Sequence, residues 1–188
     1  MSTEYLDQKF INNDDLPASY SNALFENCSF MSCDLKEMNL SHASFIDCNF
    51  KNCDLSNVKF SNSRVRGTSF DNCKLLGIQW INLSDLLDPS FISCNLSYAN
   101  FSGLKLKKTT MTDCLLNDAD FSQADLTESD FKNSNLLQAR FQDTILIKAN
   151  FQQAINYQID PIQNKVKGAK FSMPEAMGLL TGLGVVIK

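Results

Sequence analysis

Phe and Leu recur every five residues in this chain, and no regular secondary structure has that period. Phe25, Phe30, Leu35, Leu40, Phe45, Phe50, Leu55, Phe60, Val65, Phe70, Leu75 and Trp80 follow one another at intervals of five. After one extra residue, placed at Leu83, the series resumes at Leu86. It then runs through Phe91, Leu96, Phe101, Leu106, Met111, Leu116, Phe121, Leu126, Phe131, Leu136, Phe141 and Leu146 to Phe151. A helix repeats every 3.6 residues and a strand every 2, so neither accounts for the spacing. A short strand followed by a bend does, if the centre and the residue two before it both point inward. The residue two before each centre is small or apolar, the one directly before it is mostly Asp, Asn, Ser or Lys, and the two after it are mostly polar. Counting Tyr20, residues 18–82 hold 13 such units and residues 84–153 hold 14.

The cysteines set the size of one turn. Cys33, Cys53, Cys73, Cys94 and Cys114 lie 20 residues apart, or 21 across the extra residue, so four units make a coil of square cross-section. Stacked at that period, the centres form four columns. The first reads Tyr20, Leu40, Phe60, Trp80, Phe101, Phe121, Phe141; the second Phe25, Phe45, Val65, Leu86, Leu106, Leu126, Leu146. The third is Phe30, Phe50, Phe70, Phe91, Met111, Phe131, Phe151, and the fourth is Leu35, Leu55, Leu75, Leu96, Leu116, Leu136. Each column keeps its character across Leu83, which therefore reads as a one-residue bulge. Twenty-seven units amount to about seven coils, or ~32 Å at the ~4.8 Å spacing of paired strands.

Units such as Cys53-Asp54-Leu55-Ser56-Asn57, Ala119-Asp120-Phe121-Ser122-Gln123 and Ala124-Asp125-Leu126-Thr127-Glu128 resemble the pentapeptide-repeat family, whose unit is Ala-Asp/Asn-Leu/Phe followed by two polar residues. The resemblance spans about 135 of the 188 residues. It implies an all-β solenoid, a right-handed quadrilateral β-helix; the handedness comes from the resemblance alone. The expected organisation is an N-terminal cap or loose first coil over 1–17, the repeat over 18–153, and a linker, capping or dimerisation helix and tail over 154–188. At the front, Asp7, Asp14 and Asp15 make the segment acidic, while Tyr5 and Phe10 remain in the five-residue register.

Several residue types that could carry chemistry have a simpler explanation here. All seven Cys occupy the inward small position, where Cys serves as a small soft hydrophobe. No CxxC occurs and no His shares their positions, so a zinc site is not expected. Seven unpaired buried thiols fit a reducing compartment, the cytoplasm. His42 is the only His; it falls at an outward position beside Ser41, with no group to orient it as a catalytic base. The scattered Gly make no phosphate-binding loop, and Gly67, Gly77 and Gly103 sit at bends. Neither an enzyme nor a cofactor is expected. A formal charge of −4 and a pI near 4.9 argue against binding nucleic acid by neutralising phosphates. No apolar run approaches the ~18–20 residues of a membrane crossing, and the opening MSTEYLDQKF lacks the basic-then-apolar pattern of a secretory leader.

The outward charges follow the coils. On the second column Glu26 and Asp47 give way to Arg64 and Arg66, then Asp85 and Asp88, then Lys105, Lys107 and Lys108, then Asp125 and Glu128, then Lys148. Opposite charges on neighbouring strands should stabilise the stack. Between Asp113 and Asp130 there are six acids and no base, an acidic band around several faces. Asp118, Asp120, Asp125, Glu128 and Asp130 are its candidate partner-binding residues.

Beyond the repeat, Ser172 and Glu175 read as a capping box opening a helix with Ala176, Met177, Leu179, Leu180 and Leu183, stopped by Gly184 before Val185-Val186-Ile187. This apolar end covers the last coil, or also meets a second copy across a two-fold axis through Met177, Leu179, Leu180 and Leu183; outward Ile145 and Ile147 are expected to be exposed nearby. A pentapeptide solenoid, the Asp160-Pro161 linker and a helix bearing Leu180, Leu183 and Gly184 together resemble the subgroup of quinolone-resistance (Qnr) and microcin-immunity proteins. That resemblance implies a homodimeric, non-enzymatic DNA mimic that binds DNA gyrase or topoisomerase IV and protects it from quinolones or peptide toxins, with no direct nucleic-acid or membrane binding. The long projecting loops of some quinolone-resistance members are missing. The alternative is a pentapeptide-repeat scaffold for protein–protein contact, unrelated to topoisomerases.

Overall fold

The structure, a computed structural model, describes residues 3–13, 16 and 20–185; Asp14, Asp15, the boundary at 17/18, and Val186 and Ile187 of the tail lie outside the described residues. The chain turns through about eight coils of a β-solenoid with one short helix near its C-terminus. On the second face, Glu4–Leu6, Leu24–Glu26, Ser44–Ile46, Arg64–Arg66 and Asp85–Leu87 pair in parallel. On the third, Lys9–Ile11, Ser29–Met31, Asn49–Lys51, Ser69–Asp71, Ser90–Ile92 and Thr110–Thr112 do the same, and farther along Asn150–Phe151 pairs with Lys170–Phe171. Single parallel bridges such as Asn39 to Lys59 and Asp34 to Asp54 make up the first and fourth faces. Register follows the columns: Phe25 faces Phe45, and Phe50 faces Phe70. Tyr5 and Phe10 pair with Phe25 and Phe30, which adds a coil ahead of the seven expected, and Phe171 beneath Phe151 extends the stack beyond them.

The bend has one recurring backbone feature. The residue two after the centre takes φ between 48° and 72° in nearly every unit, from Asp7 and Asn12 through Asn52, Asn57 and Asn62 to Lys148 and Gln153. Asn, Asp and Gly tolerate this left-handed region best, and they hold many of these positions. Gly67 is the tightest case: at φ +57 a Cβ would also run into the Asp47 carboxylate of the coil before. At the extra residue, Trp80–Asn82 forms a 3-10 turn and the Leu83 N–H returns to the Trp80 carbonyl. The pairs Val65–Leu86 and Phe70–Phe91 then resume without slippage, so the bulge is absorbed locally.

Inward residues stack at the coil spacing. In the third column, ring centroids lie 4.8 Å apart for Phe10–Phe30, 4.5 Å for Phe30–Phe50, 5.1 Å for Phe50–Phe70 and 5.3 Å for Phe70–Phe91. Trp80 meets Phe70 and Phe91 edge-on at 5.8 and 5.3 Å, tying the first column to the third. Edge-to-face and offset contacts of this kind add to the area they bury.

The seven Cys are buried and free, and their role is richer than filling space. Each donates its thiol to the carbonyl of a centre residue one coil back: Cys28 to Tyr5, Cys33 to Phe10, Cys48 to Phe25, Cys53 to Phe30, Cys73 to Phe50, Cys94 to Phe70 and Cys114 to Phe91, at 3.3–3.6 Å. Ser63, Ser129, Ser134 and Thr144 make the same bond at 2.6–3.0 Å. Where the inward small residue carries a donor, it is thus usually satisfied by a buried carbonyl of the coil before, and at Leu40, Leu106 and Phe121 that carbonyl also accepts a bend N–H. Burial pushes the Cys33 and Cys48 thiols up to about 12 from the ordinary 9.0. For Cys94 the hydrogen bond with Cys114 contributes most and burial adds to it, again reaching about 12.

Ser172 and Glu175 do not form the expected capping box. The Ser172 hydroxyl accepts the Gln153 N–H at 3.1 Å instead, and Pro174 precedes a 3-10 turn, Glu175–Met177, that has no side-chain cap. The α-helix is only Gly178–Gly182. Gly182 lets it lie close to Pro161, whose Cδ is 3.1 Å from where a Cβ would stand. Ile145 and Ile147 are half-buried rather than exposed, because another coil follows and bridges Ile145 to Lys165.

Phe70→Ala removes two stacked neighbours and one edge contact, and should cost ~3–5 kcal/mol in denaturant unfolding; a loss below ~1 kcal/mol would place the column outside the core. Cys73→Ser keeps the donor and should cost far less. The thiols also set a pH dependence. For Cys33 and Cys48 the folded pKa lies above the unfolded value, so their contribution is complete below about 9 and is lost as pH rises toward about 12. The urea midpoint should fall through that window, and less steeply in a Cys33→Ser/Cys48→Ser variant. Thiol reagents should label the native protein slowly at all seven Cys.

Candidate functional site

The acidic band is held in place by the bend chemistry. Asp120, Asp125 and Asp130 each stand directly before a centre residue, and each folds its carboxylate back onto the bend. Asp120 Oδ1 accepts the Ser122 N–H at 2.9 Å. Asp125 Oδ1 accepts the Thr127 N–H at 3.1 Å and its hydroxyl at 2.6 Å. Asp130 Oδ1 accepts the Lys132 N–H at 3.0 Å and the Asn150 side-chain amide at 2.9 Å. Asn39, Asn95, Asn100 and Asn135 do the same in their units, which gives a physical reason for Asp or Asn at that position. This structural duty was missed by reading those acids only as surface charge.

The five candidate acids do not share a face. Asp118 and Asp120 flank the corner between the fourth and first faces, Asp125 and Glu128 lie on the second, and Asp130 opens the third. They wrap a little over half of one coil. Bases one coil away engage most of them: Lys107 lies 3.3 Å from Asp125, Lys108 and Lys148 lie 3.9 and 3.5 Å from Glu128, and Arg140 lies 3.9 Å from Asp120. Such exposed pairs contribute ~0.2–1 kcal/mol each. Lys105 sits beside Asp125 in the backbone ladder without closing an ion pair among the described residues. Asp118 is exposed and has no ion pair among them. Partial burial of Asp125 works against its charge, but hydrogen bonds from Thr127 and Lys107 and the pull of the Lys107 ammonium outweigh it and hold the carboxyl below its ordinary value.

His42 is exposed at a left-handed bend with φ 62. Among the described residues no group of three His, Cys, Asp or Glu is placed to hold a metal ion, and no helix is long and apolar enough to cross a membrane. At the C-terminal end, Leu179 packs against the core while Met177 and Leu180 are half-buried. Leu183 is 53% exposed, and Met173 and Ile162 are 68% and 71% exposed. A cleft of about 400 Å³ is lined by Tyr157–Asp160 and by Gly178, Thr181 and Gly182 of the helix.

The sequence profile described as "Pentapeptide repeat region" matches residues 23–86 and 84–160, well over half of the chain. No curated protein matches it. Solved structures do. A trypsin-treated variant of QnrB1, a plasmid-mediated fluoroquinolone resistance protein, is 22% identical, with TM-score 0.62, covering 100% of both chains. A second trypsin-treated QnrB1 variant is 21% identical with TM-score 0.66, covering 100% of this chain and 98% of that one. Full-length QnrB1 is 21% identical with TM-score 0.61, covering 98% of each.

Proposed function

The chain belongs to the pentapeptide-repeat family, and from that premise we propose that it is a non-enzymatic, Qnr-like binding protein whose partner is a type II topoisomerase, DNA gyrase or topoisomerase IV, and that it shields this partner from quinolones or peptide toxins. The observation that carries the reading is the extent of the likeness to QnrB1, which covers 98–100% of each chain. The rod takes the place of a DNA segment, with shape supplying much of the complementarity. Duplex DNA carries one charge per ~1.7 Å of axis, and this belt of largely paired acids is much sparser. Two rods join at the apolar C-terminal end through Leu183 and the half-buried Met177 and Leu180, while Leu179 anchors the helix to its own core. Seven free thiols held as hydrogen-bond donors suit a cytoplasmic protein.

The pairing of Asp120, Asp125 and Glu128 with bases of their own chain favours a second reading, a pentapeptide scaffold for another protein. Supercoiling by purified gyrase with and without a fluoroquinolone separates the two. The topoisomerase reading expects protection by the wild type. A variant with Asp118, Asp120, Asp125 and Asp130 changed to Asn and Glu128 to Gln should keep the fold, because Asn preserves the bend acceptor, yet bind gyrase more weakly and with flatter salt dependence. Equal gyrase affinity for both proteins would retire the acidic-belt reading. In sedimentation at micromolar concentration the full chain should run as a dimer, and a monomer would reduce the C-terminal helix to a cap.

A further inference from the structure

The fourth face changes character halfway along the rod. Its first coils are charge-paired: Lys36 reaches Asp34 and Asp54, and Lys74 reaches Asp54. Beyond Lys74 this face has no ion pair among the described residues, and its outward side chains are uncharged, with apolar ones interspersed among Asn95, Asn117 and Asn135. Leu115, Leu137 and Ile155 are 45%, 46% and 42% exposed on three successive coils, and Tyr98 on the coil before them is 61% exposed. On the third face exposed Ile11 and Met31 also pair, but the Lys51–Asp71 pair then separates them from Ile92. Tyr98 adds a second, independent observation. It occupies the left-handed bend position at φ 62, whereas its counterpart one coil back is Gly77. Every corner needs this conformation, and long polar side chains such as Lys108, Gln123 and Gln138 fill the next ones; an aromatic side chain is less favourable there than glycine. The result is an aromatic ring held out into solvent, and Tyr is among the residue types enriched at binding hot spots.

We propose that this stretch of the fourth face is a protein-docking surface, centred on Tyr98 and Leu115, for a segment that presents an apolar stripe flanked by Lys or Arg. Charge assigns the occupant. On the coil of Leu115, Asp113 marks one corner of the face and Asp118 the other, and neither has an ion pair among the described residues. A second copy of this acidic chain would set like charges against each other, whereas a basic amphipathic segment satisfies stripe and rim together. The surface stands apart from the topoisomerase reading and needs no identified partner to be tested.

The probe is a labelled amphipathic helical peptide of Leu and Lys, titrated into the full-length protein. Tyr98→Ala and Leu115→Ser should each weaken binding by at least ~10-fold. Leu87→Ser and Ile92→Ser, equally exposed on the second and third faces, should leave it unchanged. Asp113→Asn with Asp118→Asn should weaken it and flatten its salt dependence. Tyr98→Asn supplies a readout that a structural role cannot mimic: it should melt at a higher temperature than the wild type while binding the peptide worse. Equal losses at the control positions would reveal general charge attraction and overturn the proposal. So would unchanged binding in Tyr98→Ala, or self-association of the wild type that Leu115→Ser abolishes.

Discussion

A backbone that turns a corner every five residues needs a left-handed residue at each corner, and the rest of this molecule depends on that requirement. With φ near +55° two places after each centre, four bends close a coil. The next coil then starts over the first with identical positions superposed. Parallel backbone hydrogen bonds, such as Ser29 N–H to the Gln8 carbonyl and Asn49 N–H to the Cys28 carbonyl, lock that superposition. Once it exists, like stacks on like: Phe30 on Phe50 inside, Asn52 beside Asn72 at the corner, where their amides bond at 2.8 Å. Where the small inward residue is Cys or Ser it donates to a carbonyl one coil back, as Cys53 does to Phe30 and Ser63 to Leu40, while Ala fills the same position at 43, 119 and 124 by size alone.

The same superposition dictates what the surface can do. An outward residue meets its counterpart one coil away, so charge becomes a ladder rather than a field. On the second face the ladder cancels itself, with Arg66 on Asp85, Lys107 on Asp125 and Lys148 on Glu128. A partner drawn by charge would have to displace those pairs. On the fourth face the ladder stops after Lys74 and leaves apolar side chains between unpaired acids. A square rod thus separates its faces by chemistry, and each face can be tested by substitution without disturbing the others.

Inward positions were legible because their stacking writes itself into the chain as a period. Cys33 to Cys114 revealed the 20-residue coil, and Phe and Leu revealed its columns. Outward and terminal features were less legible, for identifiable reasons. The local motif Ser172–Glu175 lost to a tertiary contact, since the Gln153 N–H claims the hydroxyl. Ile145 and Ile147 seemed exposed because the coil at Lys165 lies past the point where the repeat fades in sequence. The Arg140–Asp120 pair follows from stacking the first face at 20 residues, a step that the sequence reading took for the second face alone. The bend duty of Asp120, Asp125 and Asp130 was hidden because a carboxylate placed for turn geometry looks the same in sequence as one placed for a partner.

The dependence of the whole fold on left-handed corners can be measured at Asn62, an exposed bend residue with φ 58 whose side chain makes no hydrogen bond among the described residues. Its neighbour Ser61 is equally exposed but stands before the left-handed position. The measurement is the difference in unfolding free energy between Asn62→Val and Ser61→Val. Valine at 62 should cost ~1–2 kcal/mol or more, with Asn62→Gly near the wild type, while valine at 61 should stay within ~0.5 kcal/mol. Equal costs at the two positions would mean that the corners are not left-handed, and would contradict the account at its base.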